Sequence, residues 1–230
     1  MALPNIETLD RDGAIRDAEA AVAGDTRAAF FRKAAVGGGA VLGSGAIMGM
    51  LPELASAKPS KKQDVKILEF ALTLEYLEAD FYARSVASGA LTDDALAFAQ
   101  LVSTHESKHV ALLQKTIKAL TGKKAFSSPE FDFMGAEADQ AKFIDLAYTL
   151  ENTGVHAYLG QAGKLKSKTL LGAAASIVTI EARHASAIAT IKGSDPFADG
   201  GEFSITPDKE LDKPFKKSKV LAAAKPFIKS

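Results

Sequence analysis

Apolar positions recur at helical spacing in four long segments of the chain, residues 64–88, 93–121, 137–165 and 168–192. In each, apolar side chains return every three or four residues and charged or amide side chains fill the gaps. Each segment therefore predicts an amphipathic helix with one face reserved for a core. Gly122 and Gly193 stand just past the second and fourth segments, where a helix stop is expected. SGALTD separates the first pair, and only a short break around Lys166-Ser167 separates the second. Links this short join antiparallel neighbours. Between the pairs lies GKKAFSSPEFDFMGA, long enough to run the length of a bundle. The expectation is an all-α four-helix bundle of two hairpins joined by one long crossover, with an irregular C-terminal tail.

The two hairpins repeat one another. Thr73, Leu74, Glu75 and Tyr82 of the first segment match Thr149, Leu150, Glu151 and Tyr158 of the third at an offset of 76 residues. Glu106-x-x-His109 of the second segment matches Glu181-x-x-His184 of the fourth at an offset of 75. Residues three apart share a helix face, so each Glu–His pair points one way. Opposing two such helices with two that each offer a single Glu brings four carboxylates and two imidazoles to the centre. Buried together without compensation, four carboxylates would repel and lose hydration at a prohibitive cost. Two divalent cations balance them, the arrangement of di-iron and di-manganese carboxylate bundles.

This pattern resembles the ferritin-like superfamily over Asp64 to Lys192. It is most similar to exported bacterial ferritin-like proteins related to desiccation-associated proteins, where T-L-E-x-x-x-x-x-x-Y segments and a proline–aromatic tail recur. The resemblance implies Glu75 and Glu151 as single glutamates, Glu106 and Glu181 as bridging glutamates, and His109 and His184 as terminal imidazoles. Glu78 rivals Glu75, one turn on and on the same face, but its repeat partner is Gly154, which has no ligand to offer. The implied cofactor is a pair of iron ions, or alternatively manganese. The implied partners are metal ions with dioxygen or peroxide, and an assembly of identical subunits is compatible with the pattern. The implied activity is that of an oxidase, a ferroxidase or a peroxide-disproportionating enzyme.

Two other readings compete. The same six residues could brace a non-catalytic stress protein. His105-Glu106-x-x-His109 also fits the zinc-protease pattern H-E-x-x-H. That reading leaves the second half of the repeat unexplained, because Ile180 stands where His105 would recur. His105 is expected on the outer face or behind a ligand, and His156 at the surface or behind a ligand. Tyr82 and Tyr158 are expected in the core with their hydroxyls satisfied; a redox relay is their alternative role.

The chain's ends and composition narrow the setting. In residues 1–57, a basic stretch with Arg27, Arg32 and Lys33 precedes an apolar run from Ala34 to Leu51, and Ala55-Ser56-Ala57 follows. This order predicts an export signal cleaved after about Ala57, and hence a periplasmic or extracellular protein with no stable membrane insertion. TRAAFFRK resembles a twin-arginine signal, although Ala28 replaces the second arginine. Residues 58–193 are expected to form the bundle, and residues 194–230 a tail strapped to it by Phe203, Phe215, Leu221 and Phe227. Lys216, Lys217 and Lys219 cluster in that tail, but acids alternate with its lysines and favour a solvated face. The 230 residues carry 28 basic and 28 acidic side chains, which points away from nucleic acid as a partner. With no cysteine, disulfides, thiolate metal sites and cysteine nucleophiles are excluded. A metal would be held by His, Asp or Glu alone.

Overall fold

A computed structural model describes residues 62–196 and 212–229. The expected export segment and Phe203 lie outside the described residues. Among these residues there are five α-helices: α1 (Lys62–Ser88), α2 (Asp93–Thr121), α3 (Gln140–Ala162), α4 (Lys168–Lys192) and α5 (Lys217–Ala224). Two single 3-10 turns, Ala136–Ala138 and Lys225–Phe227, precede α3 and follow α5. None of the described helices is long and apolar enough to cross a membrane.

Helix ends follow local chemistry. Gly122 and Gly193 adopt the left-handed region at φ 72° and 75°, and their amides return to carbonyls of the last turn. The third helix is shorter than its pattern suggests. Residues 136–138 form the 3-10 turn, and Asp139 then caps α3 by accepting a hydrogen bond from the Lys142 amide. The helix ends at Ala162. The described part of the tail contains a helix that its sequence did not lead one to expect, α5, which buries Val220 and Ala224.

The helices α1 and α2 pack closely as one hairpin, α3 and α4 as the other, and the hairpins meet through α1–α3 and α2–α4. The two ends of the bundle identify the directions. Asp64, at the start of α1, accepts from the amides of Lys166 and Ser167 between α3 and α4. At the other end, Gln140 at the start of α3 accepts from the Thr92 amide at the start of α2. So α2 and α3 run the same way, and the crossover between them travels the bundle's length.

That crossover is fastened by aromatic burial. Phe131 and Phe133 are almost fully buried, and the Phe81 ring centroid lies 5.1 Å from that of Phe133 and 5.3 Å from that of Phe143. Burying a Phe of this kind contributes about 1.5–3 kcal/mol. The C-terminus then pairs with the crossover: Asp132 donates to the Phe227 carbonyl and Lys229 to the Glu130 carbonyl. Phe215 is the tail's buried aromatic anchor, Phe227 is half-buried, and Leu221 faces solvent, contrary to its expected role as an anchor.

Phe215 lies on α3. Its amide donates to the His156 carbonyl at 3.0 Å, and its ring rests on the His156 imidazole at 4.7 Å. His156 is fully buried there, so its expected surface position does not occur. Gly160 makes the approach possible, because a Cβ there would fall 1.9 Å from the Phe215 carbonyl oxygen. Gly160→Ala is expected to dislodge the tail and destabilise the protein by about 1–3 kcal/mol. Gly163→Ala, where a Cβ meets nothing within 4 Å and φ is −67°, is the control and should be neutral or slightly stabilising. Denaturant melts of the two variants check this; equal effects would contradict the contact.

Candidate metal centre

The four long helices each deliver carboxylate or imidazole groups to one level of the bundle. Glu75 comes from α1, Glu106 and His109 from α2, Glu151 from α3, and Glu181 and His184 from α4. All six are buried, the four glutamates to 1 % exposure or less. Their ligand atoms form two groups, each within 4.8 Å: Glu75, Glu106, His109 and Glu181 in one, and Glu106, Glu151 and His184 in the other. Glu106 belongs to both, the placement of a bridging carboxylate. Glu181 belongs to the first alone.

Hydrogen bonding within the cluster falls short in a telling way. Nδ1 of His109 lies 3.2 Å from Glu75, 3.0 Å from Glu106 and 3.1 Å from Glu181. One ring nitrogen carries at most one proton, so it can serve only one of the three. Nδ1 of His184 similarly lies 3.3 Å from Glu106 and 3.2 Å from Glu151. Glu75 Oε2, Glu106 Oε1 and both oxygens of Glu181 are buried without a hydrogen-bond donor. Orphaned oxygens of this kind are costly unless a cation satisfies them. All of them come from residues of the first ligand group, facing imidazole nitrogens that can be lone-pair donors. This donor set fits hard or borderline divalent ions.

Groups behind the cluster hold it in place. The Tyr82 hydroxyl donates to Glu151 Oε1 at 2.5 Å, and the Tyr158 hydroxyl donates to Glu75 Oε1. Each tyrosine thus steadies the single glutamate of the other hairpin and leaves that glutamate's second oxygen inward. Burial and the neighbouring carboxylates push both tyrosine pKa values well above 10, so the hydroxyls remain donors.

His105 is 2.8 Å from His184, Nδ1 to Nε2, with the rings stacked at 5.1 Å. It therefore meets the outer nitrogen of His184 while Nδ1 faces the carboxylates, and so orients that ring. His105 enters neither ligand group, so the two histidines of H-E-x-x-H do not converge on one position.

Glu78 is the acid that the repeat argument set aside. It is buried to 3 % exposure beside the cluster. A Cβ on Gly154 would lie 3.3 Å from its Oε1 and 3.1 Å from Glu181 Oε2. The glycine opposite Glu78 therefore leaves the room that these two carboxylates occupy. The i+3 spacing from Glu75 carried this signal, since it puts Glu78 on the same face.

Charges in the cluster are balanced by protons. Burial raises Glu78 and Glu181 well above the usual carboxylate range, and neighbouring carboxylates add to the effect. Burial also raises Glu106, to about 7, despite the two imidazoles beside it, which favour its charged form. For the histidines, burial is the largest influence and opposes charge, but the surrounding carboxylates outweigh it. His109 is raised, and His184 reaches about 10. At Glu75 burial likewise opposes the outcome, and the His109 charge lowers the carboxyl below its ordinary value.

A ferritin-like domain model matches residues 63–194, more than half of the 230-residue chain, and the chain belongs to that family. No curated protein sequence matches it.

The proton balance has a measurable consequence for the metal-free protein. Glu106 rises from 4.5 to about 7, and His184 from 6.5 to about 10. Both folded values exceed the unfolded ones, so the folded state binds more protons. The stability they contribute is complete below the unfolded values and is lost as pH rises through the folded ones. The melting temperature of chelator-treated protein should fall from about pH 5 to about pH 9. Metal-loaded protein should change less, because cations replace the protons. A chelated midpoint that rises over this range would contradict the protonated cluster.

Proposed function

We propose that this ferritin-like protein holds two divalent ions, iron or manganese, between Glu75, Glu106, His109, Glu151, Glu181 and His184. It uses them for oxygen- or peroxide-linked redox chemistry that protects against oxidative or drying stress. The observation that supports this most is the set of buried carboxylate oxygens without donors, facing two imidazole Nδ1 atoms. When bound, such ions supply one-electron changes and positions for oxygen species.

The remaining roles belong to the chain itself. Tyr82 and Tyr158 each fix one oxygen of a glutamate and leave the other free to ligate. His105 holds the His184 ring with its Nδ1 inward. Glu78, kept protonated by burial and by its acidic neighbours, stores a proton beside Glu181. The basic and apolar segment before Ala57 supports an exported location, where the absence of cysteine leaves no thiol open to oxidation.

Elemental analysis of the full chain, loaded anaerobically with iron, manganese and zinc in competition, tests the centre. About two iron or manganese ions per chain are expected. Glu106→Ala and Glu181→Ala should each abolish the pair, whereas His105→Ala should keep it. One zinc per chain, or a full complement in either glutamate variant, would overturn the ligand set. Oxygen uptake on adding Fe(II) then separates redox chemistry from a bracing role, which would consume none.

A further inference from the structure

Between the helices there is also a cavity of about 30 Å³, on one side of the carboxylate cluster. All four long helices place it there. Its wall includes Leu74 of α1, beside Glu75, and Leu113 of α2, one turn beyond His109. Ile177 of α4 lies one turn before Glu181, and Tyr158 of α3 donates its hydroxyl to Glu75. From this inner end the cavity extends along the bundle to Gln161, close to the α3–α4 turn.

Its lining is almost entirely carbon. The Tyr158 hydroxyl is spent on Glu75, and the Thr116 hydroxyl on the Leu112 carbonyl. Gln161 turns its Oε1 toward Lys164 Nζ at 3.4 Å, which leaves its buried Nε2 as a donor without a partner. A buried water needs two to four polar partners, and here it would find about one. An apolar guest loses no hydrogen bonds on entering and gains dispersion contacts with the lining. Size narrows the guest further. A water-sized occupant needs about 10–15 Å³, so the space suits a molecule of about two or three heavy atoms.

We propose that this cavity is a binding site for dioxygen, which it concentrates from solution and holds beside the Glu75–His109 half of the centre. The inference rests on the oxygen-linked reading of the centre and adds to it a place where the gas waits.

Dioxygen is paramagnetic, so the methyl relaxation of the metal-free full chain under rising oxygen pressure tests the proposal directly. Methyls of Leu74, Leu113 and Ile177 should relax several-fold faster than equally buried methyls elsewhere, such as those of Val102 and Ile188. Filling the space with Ala174→Leu, or independently with Ala71→Leu, should remove that excess. In iron-loaded protein the same variants should raise the KM for dioxygen several-fold at unchanged metal content. Uniform relaxation of all buried methyls in the parent protein would overturn the site, as would an excess that survives both substitutions. A local excess in a protein that binds no metal would sink the reading of the centre and leave the cavity standing.

Discussion

Burying acids sets the terms for this bundle. Five glutamates, including Glu78, converge where the helices cross, and carboxylates out of water must be neutralised by something. Two sources are available in the architecture. Protons can do it: the carboxyls of Glu78, Glu106 and Glu181 and both imidazoles are all shifted toward their protonated forms. Cations can do it better, because the imidazole Nδ1 atoms are too few to serve the oxygens they face. The same oxygens cannot be satisfied by both at once, so metal binding and proton release are one equilibrium.

The two hairpins are related by a repeat, and their exchange of tyrosines shows that relation in three dimensions. Tyr82 of α1 reaches Glu151 of α3, and Tyr158 of α3 reaches Glu75 of α1. Neither hairpin completes its own half of the site. The repeat then breaks at two places. Gly154 answers Glu78, and its missing side chain is the space into which Glu78 and Glu181 turn. Ile180 answers His105, so only His184 has a second imidazole behind it. The two halves of the centre therefore differ in their acidic residues and in hydrogen bonding.

What could be read along the chain was whatever depends on periodicity and on short-range spacing. The four helices and the hairpins follow from apolar spacing and link length. The face shared by Glu106 and His109, or by Glu181 and His184, follows from a separation of three residues. Contacts between distant segments were harder. Nothing local to His156 marks it as buried, since what covers it is Phe215 in the tail. Leu221 and Val220 are adjacent apolar residues, and only the orientation of α5 decides that Val220 is inside. Asp139 shortens the third helix because its side chain competes for an amide that an uninterrupted helical pattern would not expose. Glu78 was set aside as a ligand by a symmetry argument and enters neither ligand group, but its burial beside Glu181 depends on Gly154 across the bundle, a contact between distant segments.

A centre of this kind weakens the fold that carries it. One buried level of the bundle is filled by acids rather than by leucine, so cohesion must come from elsewhere. The crossover and the tail provide it. Phe131 and Phe133 close one side of the bundle against Phe81 and Phe143, and the C-terminal backbone pairs with the same crossover. Phe215 seals α3 at Gly160, where any side chain would hold it off. Among the described residues, these elements bring no ligand to the centre. They hold four helices around a group of like charges tightly enough that protons or metal ions, rather than unfolding, resolve the repulsion.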